Sequence, residues 1–133
     1  QACSAEVTVR PCDVASFDQV HAVIGAVATE GGARAQPVAV GGLVHLAGVL
    51  ANATIQGLTR GHLEAAFGAK VFGARHLCTA MRAAAVADSK GLDFVLLFSS
   101  TSVIFGSPGQ ANYAAANAAL DAHARCWRQH GER

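Results

Sequence analysis

A serine, a tyrosine, an asparagine and a lysine stand in this sequence at spacings suited to proton transfer. Ser99 and Ser100 close the apolar run Phe94-Val-Leu-Leu-Phe98, which has strand character. A Gly106-Ser-Pro-Gly109 turn follows, then an alanine-rich segment carrying Tyr113 and Asn117. Residues four apart on a helix point to nearly the same side, so Tyr113 and Asn117 share a face. Lys70 falls in the stripe Leu63, Phe67, Lys70, Ala74, Leu77, Met81, spaced 4, 3, 4, 3, 4 as on an inward helix face. A lysine there faces the core or a cleft, unless it snorkels past its neighbours to solvent.

These types suit one task. A tyrosine with its ordinary pKa of about 10 exchanges its proton poorly near neutrality. A nearby ammonium favours the phenolate. At about 4 Å and an effective dielectric of about 20 the attraction is about 4 kcal/mol, enough for a shift of a few pH units. A serine hydroxyl can meanwhile hold a carbonyl oxygen while the tyrosine protonates it. This is the acid half of a carbonyl reduction, and the hydride must come from a cofactor.

The surrounding pattern predicts the elements that position these groups. Glu6-Val-Thr-Val-Arg10 alternates as a strand and breaks at Pro11-Cys12-Asp13-Val14. Ser16-Phe-Asp-Gln19 matches a capping box, opening a helix that carries Val20, Val23, Ile24 and Val27 and stops at Gly31-Gly32. Gly41-Gly-Leu-Val-His-Leu46 is a short apolar strand leading into Ala47-Gly48. A long helix is predicted from about Thr59 to Ala87, a loop at Asp88-Ser-Lys-Gly91, a strand over Asp93 to Phe98, and a last helix from about Gln110 to His130. In that helix Tyr113, Asn117, Leu120, Ala124 and Trp127 share one stripe. The alternation of strand and helix implies an α/β fold, a parallel sheet covered on both faces. Ligands bind such sheets beyond the carboxyl ends of the strands. Asp13, Ala47-Gly48 and Ser99-Ser100 stand there, each also explicable singly as a turn cap, a bend or a strand end.

Composition bounds the rest. The 133 residues are 52% hydrophobic and 14% charged, which suits one domain or part of one. A net charge of +1 argues against capture of nucleic acid. No run is long enough to span a membrane and no signal peptide opens the chain, so a cytoplasmic location is expected. Cys3, Cys12, Cys78 and Cys126 are dispersed, as expected of buried thiols in a reducing compartment, and metal-ligand spacing is lacking.

Phe98-Ser-Ser100 with Gly106-Ser-Pro-Gly-Gln-Ala-Asn-Tyr-Ala-Ala-Ala-Asn117 resembles the ketoreductase domains of type I polyketide synthases and animal-type fatty acid synthases, within the short-chain dehydrogenase/reductase superfamily. His45-Leu-Ala-Gly48 with Val49-Leu50 is similar to their ribose motif, and Cys12-Asp-Val14 to their adenine-side motif. Ordinary superfamily members carry the lysine four residues after the tyrosine. Here Asn117 stands there and the lysine comes from the preceding helix, as in the synthase domains. The resemblance implies a Rossmann-like doubly wound parallel sheet. It implies Tyr113 as proton donor, Ser100 as carbonyl-orienting hydroxyl, Lys70 as partner of Tyr113 and of the nicotinamide ribose, and Asn117 as support for Lys70 and a relay water. Asp13 and Val14 would lie beside the adenine, Ala47 and Gly48 beside the ribose. The implied reaction is NADPH-dependent reduction of a 3-ketoacyl thioester carried on the phosphopantetheine of an acyl carrier protein, among neighbouring synthase domains. Alternatives are a catalytically silent member bracing a synthase, and a free-standing short-chain dehydrogenase. Leu50-Ala51-Asn52 partly matches the Leu-Asp-Asp of members that make 3R alcohols, which gives a weak lean towards that product.

The sequence also departs from that family. No Gly-rich phosphate-binding fingerprint occurs in it, nor the family's lid segment after the tyrosine helix. Residues 1–133 are accordingly expected to be the central part of one ketoreductase domain, inactive alone. In the strand order 3-2-1-4-5 the first two strands here would be the third and fourth, so a missing segment or partner chain would complete the sheet.

Overall fold

The computed structural model describes residues 7–29, 40–86 and 92–129. The element order is α1 (Phe17–Thr29), β1 (Gly42–His45), a 3-10 turn (Ile55–Gly57), α2 (Arg60–Phe67), a π-helical turn (Gly68–Phe72), α3 (Gly73–Val86), β2 (Phe94–Leu97), α4 (Ser102–Phe105) and α5 (Ala111–Gln129). Cys3, the helix stop at Gly31-Gly32 and the loop at Asp88–Gly91 lie outside the described residues.

β1 and β2 pair in parallel, with Gly42 opposite Phe94 and His45 opposite Leu97. The ladder continues past both ends, since Asp93 N–H donates to Gly41 O at 2.7 Å and Phe98 N–H to His45 O at 3.0 Å. Period-2 alternation turns Leu43 and His45 towards the helices, where both are buried. Leu43 joins Cys78 and Met81 in a core that Ile24 of α1, Leu77 of α3, Val95 of β2 and Trp127 of α5 close over. The opposite face carries Val44, Phe94, Leu96 and Phe98, each more than two-fifths exposed. Among the described residues the sheet is therefore covered on one face, not on the two expected.

The strand expected over Glu6–Arg10 does not form in its described part. Val7 is 80% and Val9 87% exposed, and no strand assignment covers them. Alternation supplies side chains for a pleated surface but no ladder, and among the described residues no strand lies alongside. The capping box of α1 forms only in half. Gln19 N–H donates to Ser16 Oγ at 3.4 Å, while the Gln19 side chain accepts from Asp13 N–H at 2.9 Å instead of from the cap. Gln19 thus fastens the turn over Asp13 and Val14 to the helix that follows.

The long helix predicted over 59–87 opens at the Thr59 cap, where His62 returns the bond to Thr59 N–H in a capping box. It is broken by the π-helical turn that carries Lys70. A π-turn inserts one residue per turn and rotates the faces on either side of it. Leu63, expected in the buried stripe, is consequently 42% exposed, and Ala66 is fully buried in its stead. Gly73 closes the turn and allows tight packing: a Cβ there would lie 2.8 Å from Val14 Cγ2. His76, on the next turn, donates from Nδ1 to Val14 O at 3.1 Å. Cys12, Cys78 and Cys126 form no disulfide with one another. Cys78 is buried and its thiol is pushed up to about 12 by desolvation, whereas Cys126, against expectation, lies at the surface.

Candidate functional site

Lys70 turns inward rather than snorkelling, with only 3% of its surface exposed. Its Nζ donates to Phe98 O at 2.7 Å, at the carboxyl end of β2. Desolvation lowers its pKa, and the carbonyl dipole compensates part of the burial of the charge. Gly48, three residues past β1, lies against the end of this side chain. A Cβ on Gly48 would be 2.9 Å from Lys70 Cε, 3.4 Å from Lys70 Nζ and 3.8 Å from Tyr113 Cε2. Lys70, Tyr113 and the Ala47-Gly48 bend therefore converge beyond the strand ends, and the missing side chain of Gly48 is what lets Lys70 come so close to the bend.

α5 supplies Tyr113 half-buried and Asn117 fully buried on its inner face, as the stripe predicted. Asn117 donates from Nδ2 to Tyr113 O at 2.8 Å, and its buried Oδ1 meets no protein donor. That orphaned acceptor is of the kind that holds a water or an ammonium proton. Ser100 Oγ accepts from Ser102 N–H at 3.2 Å, which orients its hydroxyl at the start of α4, the single turn packed against α5. α4 leaves no mark in the hydrophobic pattern, because four residues are too few for periodicity. Asp13 and Val14 are held by other neighbours. The Asp13 carboxylate accepts from Ala15 N–H at 2.9 Å, and Val14 packs on Gly73.

Three contributors were not singled out from the sequence. His45 is 2% exposed and lies 3.2 Å from Lys70 O through Nε2. Its signal was available, since it alternates with Leu43 on the inward face of an otherwise apolar strand. Phe98 acts through its carbonyl, which side-chain patterns do not reveal. Asn112 is 1% exposed and donates from Nδ2 to both Ala51 O and His62 O at 2.9 Å. Together with Ala53 N–H donating to Gly109 O at 2.9 Å, it clamps the connection after Gly48 to the start of α5.

A family model described as the KR domain matches residues 1–133. The chain belongs to this family. A polyketide synthase of Streptomyces halstedii, GfsB, is 37% identical over 124 residues, which is 93% of this chain and 2% of that protein. The first ketoreductase of the tylosin polyketide synthase superposes with a TM-score of 0.69 at 40% identity, covering 91% of this chain and 23% of that one. An N-terminal ketoreductase of the macrolactin assembly line superposes at a TM-score of 0.77 with 28% identity, covering 93% and 23%. The KR chain thus spans about a quarter or less of the ketoreductases it matches, and a few per cent of the curated synthases, and shares the Rossmann-like α/β fold. Family membership makes it a homologue of polyketide synthase ketoreductase domains. Among the described residues no group of three or more His, Cys, Asp or Glu could hold a metal, and no helix is long and apolar enough to cross a membrane.

Proposed function

We propose that these residues form the central part of a ketoreductase domain that reduces a 3-ketoacyl thioester, carried on the phosphopantetheine of an acyl carrier protein, at the expense of NADPH. The observation that carries this reading is the convergence of Gly48, Lys70 and Tyr113 beyond the carboxyl ends of two parallel strands. The bend at Gly48, with the Lys70 ammonium and Tyr113 beside it, has the donor chemistry that suits a nicotinamide ribose, and the turn at Asp13 and Val14 suits the adenine side. Ala47 and Gly48 would hold the ribose, with the Lys70 ammonium donating to its hydroxyls and Tyr113 beside it. The chemistry NADPH supplies when bound is a hydride to the carbonyl carbon.

The chain's own residues then manage the oxygen. Ser100 donates its hydroxyl proton in a hydrogen bond to the carbonyl and fixes its direction. Tyr113 transfers its phenolic proton to that oxygen as negative charge develops there. The Lys70 ammonium, held by Phe98 O, stabilises the phenolate left behind. Asn117 Oδ1, buried and without a protein donor, receives the water through which Tyr113 is reprotonated.

The test is Tyr113→Phe in the natural polypeptide that carries these residues, assayed with a 3-ketoacyl N-acetylcysteamine thioester and NADPH. Reduction is expected to fall at least about a hundredfold, the scale of lost general acid catalysis, with NADPH affinity by fluorescence titration within about twofold. Full activity in the variant would remove Tyr113 as proton donor. Cofactor binding without turnover in the wild type would favour a silent bracing domain instead.

A further inference from the structure

The backbone around Lys70 is irregular where its side chain must be placed most closely. In the π-helical turn Gly68–Phe72, Gly73 N–H is shared between Gly68 O and Lys70 O, five and three residues back, rather than bonding the carbonyl four back as in a regular helix. The same Lys70 O lies 3.2 Å from His45 Nε2. A carbonyl can only accept, so His45 carries its proton on Nε2 and donates it there. The imidazole sits at the last position of β1 with 2% exposure, directly behind the bend that leads to Gly48. Desolvation lowers its pKa and outweighs the raising effect of its bonding to the Lys70 and Ala69 backbone, with the Lys70 charge acting on the side of desolvation, which keeps the ring neutral. Gly73, whose added Cβ would lie 3.4 Å from His45 Cε1, leaves room for the ring. Lys70 is therefore held at both ends, by Phe98 O at its ammonium and by His45 at its backbone.

We propose that His45 is a positioning residue: its Nε2–H bond to Lys70 O fixes the π-helical turn and so aims the Lys70 ammonium at the space between Gly48 and Tyr113. Its effect on reduction rests on the ketoreductase function proposed above. Its effect on the turn does not. Glutamine carries an N–H donor of similar reach to Nε2, whereas asparagine is one methylene shorter and does not reach the carbonyl.

The test compares His45→Gln with His45→Asn in the natural polypeptide, two polar variants of a buried site. Amide exchange over Gly68–Gly73 is read first. It is expected to stay at the wild-type rate in His45→Gln and to accelerate at least about tenfold in His45→Asn. Equal exchange in both variants overturns the inference, whether or not the wild type reduces any substrate. With 3-ketoacyl thioester and NADPH, His45→Asn is expected to lose about tenfold or more in kcat with little change in substrate KM, as follows from misplacing a catalytic group. The alkaline limb of its kcat profile should move to higher pH, because a Lys70 returned to water regains its ordinary affinity for a proton. His45→Gln should restore both kcat and the limb. Matching kcat and pH profiles in the two variants would also overturn it. Absence of turnover in the wild type would instead remove the ketoreductase function, leaving the exchange result to decide the role of His45.

Discussion

At the scale of single residues, Gly48 separates the cost of folding from the cost of chemistry. Its φ is not among the positive values, which occur at Gly106 and Gly109, so alanine introduces no backbone strain there. The added Cβ would meet Lys70 Cε at 2.9 Å, the flexible end of a side chain that can move aside. Moving it breaks the bond from Lys70 Nζ to Phe98 O and takes the ammonium away from Tyr113. Gly48→Ala is therefore expected to melt within a few degrees of wild type, a loss of under about 1 kcal/mol. Its kcat should fall about tenfold to a hundredfold. A melting curve beside steady-state kinetics checks both halves. Wild-type kcat in this variant would mean that Lys70 need not stand where the structure puts it.

At the scale of elements, the start of α5 is fixed by its neighbours as much as by its own helix. Asn112 supplies the donors for Ala51 O and His62 O, and both bonds are lost in Asn112→Ala. Leaving part-buried carbonyls unmet costs about 1–3 kcal/mol each. Partial access of water to the loop brings the expected total to about 2–3 kcal/mol. Asn112→Asp should cost more, because a carboxylate would face two carbonyl oxygens in a buried place. Urea unfolding midpoints would rank the three proteins, and an unchanged midpoint in Asn112→Ala would show that the clamp is dispensable. Such cross-element bonds are where sequence patterns end. Periodicity correctly turned Lys70, Tyr113 and Asn117 inward, because a 3.6-residue stripe states which face meets the core. It misplaced Leu63, because a π-turn shifts the face by a residue without a mark in the hydrophobic pattern. It also overread Val7 and Val9, whose alternation is a necessary condition for a strand and not a sufficient one.

At the scale of the molecule, the two-stranded sheet presents an unbalanced surface. Leu43 and His45 are buried beneath the helices, while Val44, Leu46, Phe94, Leu96 and Phe98 stand between 45% and 62% exposed on the other side. The register sets Val44 beside Leu96, so the apolar side chains form one continuous patch across both strands. Monomeric proteins rarely expose contiguous apolar patches beyond a few hundred Å², and open strand edges beside such a patch invite pairing. The 133-residue chain prepared alone is accordingly expected to self-associate at micromolar concentration. Its amide protection should be confined to α3, α5 and the shared ladder of β1 and β2. Val44→Lys with Leu96→Lys should raise the monomer fraction several-fold, since charges on the patch oppose stacking while leaving the Leu43 core untouched. Size exclusion with light scattering reads the association, and amide exchange reads the protection. A well-protected wild-type monomer would contradict the expectation, because it would mean that the patch is covered by the chain itself.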